Sequence, residues 1–169
     1  FDLMGNSLLN FPGDIIINFT IMALIILGGL GFSVIGDISR HRHCFRKWSL
    51  HTKLVILSTA ILLIAGFLFF FIMEYDNVLG NFSFKDKIIA SLFQTVTLRT
   101  AGFNSIPIGE ITEASKFFFI ILMFIGASPD STGGGIKTVT AMVIILTVKS
   151  VIEGKDDIEV FRRRIPYSI

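Results

Sequence analysis

Two stretches of the chain carry residue types whose spacing has a definite chemical use. The first is Val96-Thr97-Leu98-Arg99-Thr100-Ala101-Gly102-Phe103-Asn104, which follows a segment of helical periodicity at 85–97. Pro107 and Gly109 come next and do not continue a helix. A half-helix of 13 residues, about 20 Å long, is too short to span a membrane. Entering one, it would aim the negative end of its dipole at the centre and favour a cation there. The extended residues after it would offer backbone carbonyls in place of an ion's water shell. Gly102 suits that task, because glycine reaches backbone conformations closed to other residues. The competing reading is an amphipathic helix lying on the outer surface.

The second stretch is Gly126-Ala127-Ser128-Pro129-Asp130-Ser131-Thr132-Gly133-Gly134-Gly135-Ile136-Lys137. It looks superficially like a phosphate loop, but that pattern needs glycine immediately before the lysine, and Ile136 intervenes. Four glycines and a proline oppose helix by roughly 7 kcal/mol. Region 116–152 is otherwise apolar and as one straight helix would run about 55 Å, far beyond a bilayer core. It must break here, leaving apolar arms at 117–125 and 138–148.

Other candidate chemistry is thin. His41, His43 and His51 lie near Cys44, but no carboxylate or thiolate cluster completes a metal site. There are no paired carboxylates, no nucleophile–base spacing and no dinucleotide fingerprint, so the reading is not an enzyme. No cofactor is expected. Asn18-Phe19-Thr20 and Asn81-Phe82-Ser83 match the glycosylation pattern, the first within an apolar span.

The elements that position these stretches follow from composition. The chain has 169 residues, 52% hydrophobic and 17% charged, with a mean hydropathy of +0.74. A soluble domain would be about 25% charged. A formal charge of +2 does not argue for nucleic acid, and the single cysteine, Cys44, has no internal disulfide partner. Residues 15–36 and 54–73 are charge-free runs, each long enough to cross a hydrocarbon core of about 30 Å. Between them, residues 40–53 hold five of the 15 cationic residues, which makes this loop cytoplasmic by the positive-inside rule. Residues 74–86 then face outside, and the tail with Lys149, Lys155 and Arg162-Arg163-Arg164 returns inside. The chain begins at Phe1 without a basic n-region, so a secretory signal is not expected; the reading is a piece of a longer protein. Non-helical backbone at membrane depth is tolerated only in protein or beside water. Two such segments in one short chain point to a permeation pathway.

The run 96–104 resembles a filter segment of the Trk/Ktr/HKT superfamily of potassium transporters. The run Phe124-Ile125 through Lys137-Thr138 is similar to that superfamily's intramembrane gating loop. Gly28-Gly29-Leu30-Gly31-Phe32 and Ser49-Leu50-His51-Thr52-Lys53-Leu54 resemble recurrent stretches of its bacterial members. The likeness covers nearly the whole chain in order and is nearest to bacterial Ktr-type membrane subunits, including those labelled sodium-ATPase subunit J.

The resemblance implies an all-α integral membrane protein, multi-pass in the bacterial plasma membrane. Its architecture is the helix–pore-loop–helix repeat, with a re-entrant half-helix and a broken transmembrane helix. Residues 1–53 would end the second of four repeats, with Phe1 the end of its filter, 15–36 its closing helix and a basic cytoplasmic loop. Residues 54–152 would be the third repeat: helix 54–73, pore helix 85–97, filter 98–104 and broken helix 116–152. Residues 153–169 would be a cytoplasmic linker. Ion-binding positions are then Thr100, Ala101, Gly102 and Phe103, supported by Thr97, Arg99 and Asn104. The gate is Gly126, Ser128, Pro129, Asp130, Gly133, Gly134, Gly135 and Lys137. Implied partners are the remaining pore repeats, a second copy in a homodimer, a cytoplasmic nucleotide-binding regulatory subunit and the bilayer. The permeant ion is K+, with Na+ left open.

The expected function is gated monovalent cation uptake. The alternative is a structural membrane subunit of a cation pump with no pore of its own. Asp130 departs from the family pattern, which usually has a small residue there. Lys137 is its candidate ion-pair partner; attraction of cations to the internal vestibule and a solvated loop residue are the competing readings. Arg99 either ties down nearby carbonyls or snorkels outward.

Overall fold

The computed structural model describes residues 6–41, 45–152 and 154, and the backbone of 158–160 and 163–165. Phe1, residues 42–44 of the basic loop, Lys155 and Arg162 lie outside the described residues, as do the side chains of Arg163 and Arg164.

Helix α1 (Ile15–Leu30) starts where Asp14 accepts a hydrogen bond from the Ile17 amide at 3.0 Å. It stops short of the single span expected over 15–36. At Gly31 the backbone takes φ 85° and ψ 151°, a conformation open to glycine and closed to other L-residues. The chain then turns by 95° into α2 (Phe32–His41). A side chain at position 31 would also collide with the Pro129 carbonyl. An uncharged run sets apolarity but not straightness, and here a contact nearly 100 residues away decides.

Helix α3 (Leu50–Met73) begins at Ser49, whose hydroxyl accepts from the Thr52 amide at 3.1 Å. Its 24 residues make about 36 Å of helix, enough to cross a membrane. Helix α4 (Phe84–Thr97) is capped by Ser83 and packs between α1 and α3. Nine of its 14 residues are buried, Phe93 completely. That enclosure holds α4 against α1 and α3 along most of its length.

The long apolar region is broken as its glycines require. Helix α5 (Glu113–Phe124) and helix α6 (Thr138–Ile152) are 12 and 15 residues long, about 18 and 22 Å. Phe69 stacks on Phe118 at 4.0 Å and Phe70 lies 5.1 Å from Phe119, so aromatic faces join α3 to α5. One buried cluster gathers Phe70, Ala90, Leu98, Phe119 and Leu122; a second gathers Met22, Phe93 and Val96. Large apolar side chains still stand exposed along the helices, among them Ile16, Leu24, Ile72, Phe117, Ile144 and Ile152. Beyond the helical body, β1 (Ile158–Val160) and β2 (Arg163–Ile165) pair antiparallel, Glu159 opposite Arg164; the sequence reading had only a linker there. The all-α expectation holds for the helical body.

The start of α5 is held by Glu74, which sequence reasoning missed. Its carboxylate is fully buried and accepts from the Thr112 amide (3.0 Å), the Thr112 hydroxyl (2.6 Å), Asn77 Nδ2 (2.7 Å) and the Ser115 hydroxyl. Burial alone would raise its pKa, but these donors outweigh it and hold the carboxyl below its ordinary value. Lys87 staples the same loop from the other side, donating to the Tyr75 carbonyl at 2.7 Å with its ammonium 3.7 Å from the Tyr75 ring centre.

Candidate functional site

Helix α4 delivers the 97–104 segment to the surface of this chain. Residues 91 to 99 are buried or half-buried, whereas Thr100 and Gly102 are exposed. Gly102 has φ 85°, and Thr100 has φ 66°, rare for a β-branched residue. Thr97 braces the turn: its carbonyl accepts from the Ala101 amide at 3.0 Å, and its hydroxyl donates to the Phe103 carbonyl at 2.7 Å. The end of the segment is tied to the upstream chain. The Asn104 amide donates to Ser7 Oγ at 2.9 Å, and the Leu8 amide donates to the Asn104 carbonyl at 2.9 Å. Among the described residues, no hydrogen bond takes the carbonyls of Thr100, Ala101 or Gly102. A fixed backbone with unclaimed carbonyls is what a desolvated cation needs.

Arg99 does neither of the things expected of it. It is 7% exposed, so it does not snorkel. Its guanidinium nitrogens have no partner among the described residues, so it ties down no carbonyl there. It sits behind the segment against Leu62, Leu63, Thr95, Leu122 and Ile125.

The break between α5 and α6 is an ordered structure held by hydrogen bonds between its two limbs. The Gly126 amide donates to Ile136 O (2.9 Å) and the Ile136 amide to Phe124 O (3.0 Å), so the two limbs run parallel. The Ala127 amide reaches Gly134 O at 3.3 Å, and the Thr138 amide reaches Ala127 O at 3.2 Å. The limbs are so close that a Cβ on Gly126 would collide with the Gly134 carbonyl. Its far side rests on the α1–α2 bend. The Ser128 amide donates to Gly29 O (3.1 Å), the Thr132 amide to Gly28 O (3.3 Å) and the Ser128 hydroxyl to Leu30 O (2.6 Å).

The expected Asp130–Lys137 pair does not form. Lys137 Nζ donates instead to the Gly133 carbonyl at 2.7 Å, and Asp130 accepts from the Ser33 hydroxyl. The polar chain between them turns back on itself, so seven residues of sequence do not bring the two charges together. Ser33 carried no signal in the sequence, since its partner is 97 positions away.

The two segments meet at one point. The Gly134 amide donates to Thr100 Oγ1 at 3.2 Å, and a Cβ on Gly133 would lie 2.8 Å from the same oxygen. On the other side of 97–104 lies an open groove of about 530 Å³, lined also by Phe119 and Met123 of α5. Among the described residues, no cluster of histidine, cysteine and acidic side chains is arranged to hold a metal.

Comparison with known proteins gives the same grouping throughout. The profile of the TrkH family, cation transport proteins, matches residues 1–168. The chain is 43% identical over 171 residues to Ktr system potassium uptake protein B of Bacillus subtilis, covering 100% of this chain and 38% of that protein. It is 37% identical over 168 residues to the protein of the same name from Vibrio alginolyticus, covering 98% of this chain and 37% of that one. Against the potassium/sodium uptake protein NtpJ of Enterococcus hirae it is 38% identical over 166 residues, covering 98% and 37%. The chain therefore spans under two fifths of the length of these relatives. The crystal structure of the potassium transporter TrkH from Vibrio parahaemolyticus shares its fold, with TM-score 0.70 and 21% identity over 86% of this chain and 32% of that one. With nearly every residue matched to one profile, the chain belongs to the TrkH family of cation transport proteins.

Proposed function

We propose that this chain supplies one helix–pore-loop–helix unit, and the gate, of a potassium-translocating membrane protein. It is not an enzyme in this reading. Helix α3 and the exposed apolar residues of α1, α5 and α6 face lipid in a bacterial plasma membrane. Thr100, Ala101, Gly102 and Phe103 form about a quarter of the filter, and residues 126–137 form a gate beneath it. The observation that carries the reading is the contact of Thr100 with Gly134. It sets a glycine-rich, non-helical loop directly against the segment that carries the Thr100, Ala101 and Gly102 carbonyls.

One loop cannot surround an ion, so the other pore repeats of the longer protein complete the filter, and the groove beside Phe119 suits a packed neighbour. The relatives' printed names point to K+, and one name adds Na+. A second copy and a nucleotide-binding cytoplasmic regulator, implied by the family resemblance, complete the proposed assembly.

The test is Gly102→Ser in the full-length transporter. A side chain at φ 85° distorts the carbonyls beside it, so K+ over Na+ preference falls while expression and membrane insertion stay at parent level. Unchanged preference in a normally inserted protein would make 97–104 a packing element.

A further inference from the structure

We propose that Asp130 latches the glycine-rich loop to the amino end of α2, and that α2 is the strut through which the cytoplasmic side holds or releases that loop. The inference rests on the reading of 126–137 as a gate, and its test separates the two.

The latch has two bonds. The Phe32 amide donates to the Asp130 carbonyl at 3.1 Å, and the Ser33 hydroxyl donates to the Asp130 carboxylate. Phe32 and Ser33 are the first two residues of α2. That helix has no acidic residue in its first turn and follows Gly31, which has no side chain. It therefore lacks the side-chain acceptor that most helices place at their start. Asp130 supplies in trans a carbonyl for the Phe32 amide and a carboxylate for the Ser33 hydroxyl, and its charge also suits the positive end of the helix dipole.

Holding Asp130 there has a cost: its φ is 58°, in the left-handed region that non-glycine residues disfavour, aspartate less than most. A glycine would sit there without strain and keep the carbonyl bond to the Phe32 amide, but it would lose the carboxylate that Ser33 bonds. The carboxylate accounts for an aspartate where the family resemblance leads one to expect a small residue.

The other end of α2 is equally fixed. Asp37 accepts from the Ser49 amide at 2.8 Å and the Thr52 hydroxyl at 2.6 Å, and lies 2.9 Å from His41 Nδ1. Ser49 caps α3, so α2 joins the gate loop to the helix that leaves the basic 40–53 loop. Its 10 residues make a strut of about 15 Å. A pull on the basic loop would then act on Asp130 without passing through the filter.

The experiment uses the full-length transporter with a reporter cysteine at Gly134→Cys, where an added Cβ meets nothing within 4 Å, in a background without other reactive cysteines. The rate of modification by a thiol reagent added from the cytoplasm reads release of the loop, and K+ flux reads opening. Ser33→Ala and Asp130→Asn both keep the backbone conformation, since asparagine tolerates left-handed φ. Each should raise the modification rate about two- to tenfold, Ser33→Ala by removing a bond worth about 0.5–1.5 kcal/mol net and Asp130→Asn by removing its charge. The double variant should show no more than the larger single effect. Asp37→Asn should give a smaller rise. Parent-level modification in either Ser33→Ala or Asp130→Asn overturns the latch, and parent-level modification in Asp37→Asn overturns the strut. Faster modification with unchanged flux keeps the latch and overturns the gate.

Discussion

The 97–104 and 126–137 segments are both non-helical chain set among apolar helices, yet they use their backbones in opposite ways. The first is braced from behind by Thr97, Ser7 and Leu8, and among the described residues nothing claims the Thr100, Ala101 and Gly102 carbonyls. The second pairs limb against limb and rests on the α1–α2 bend, so bonds to separate elements hold it in place. A surface that binds a desolvated ion must stay rigid and keep its acceptors free. A segment that blocks and clears a path must be satisfied at rest and release its bonds at low cost. Exchangeable bonds to separate elements meet that second need, since a shift of a few kcal/mol moves a two-state equilibrium.

Removing the loop should have the largest effect. Deleting residues 129–134 from the full-length transporter should raise K+ flux at least tenfold in the unstimulated state and remove most dependence on the cytoplasmic regulator, measured in vesicles. A contrast of single glycines sharpens the point. Gly126→Ala drives a Cβ into the Gly134 carbonyl, and overpacking of this kind costs about 1–3 kcal/mol. It should open the two limbs and raise flux severalfold. Gly134→Ala meets nothing within 4 Å and should leave flux within about twofold of the parent. Equal effects of the two would mean that limb packing does not set the gate.

Thr100→Val removes the hydroxyl that Gly134 reaches while keeping the side-chain shape. One such bond is worth about 0.5–1.5 kcal/mol net, so unstimulated flux should rise about two- to twelvefold with ion preference nearly unchanged. A large loss of preference would place the Thr100 side chain in the ion path instead.

The smallest effect lies at the outer anchor. Glu74 has a lowered folded-state pKa, so its contribution is complete above the unfolded value near 4.3. It is lost as external pH falls through the folded value. Glu74→Gln should lower thermal stability at neutral pH, and the gap to the parent should close as the medium is acidified. A gap that does not change with pH would show that shape, not charge, holds α5.

These contrasts also mark what a linear sequence can carry. The breaks after Thr97 and at 126–137 were legible because proline and glycine oppose helix wherever they fall. Helix α3 was legible because nothing interrupts its apolar run. The bend at Gly31 was not, because 15–36 is uninterrupted by charge and the loop that packs against Gly31 is nearly 100 residues away. Asp130 was visible as an anomaly, but its partner was misassigned to the nearest cation in sequence. Arg99 stood between two local explanations, and burial between α3, α4 and α5 fits neither.

The division of labour between a rigid filter and a releasable loop is tested most directly by measuring the K+/Na+ flux ratio and the fold activation by the regulator in the same vesicles. The measurement compares the parent, Gly102→Ser and the 129–134 deletion of the full-length transporter. The account predicts that Gly102→Ser lowers the ratio and keeps the activation, while the deletion keeps the ratio and abolishes the activation. If each variant changes both quantities alike, the two segments are one functional unit, and the account is contradicted.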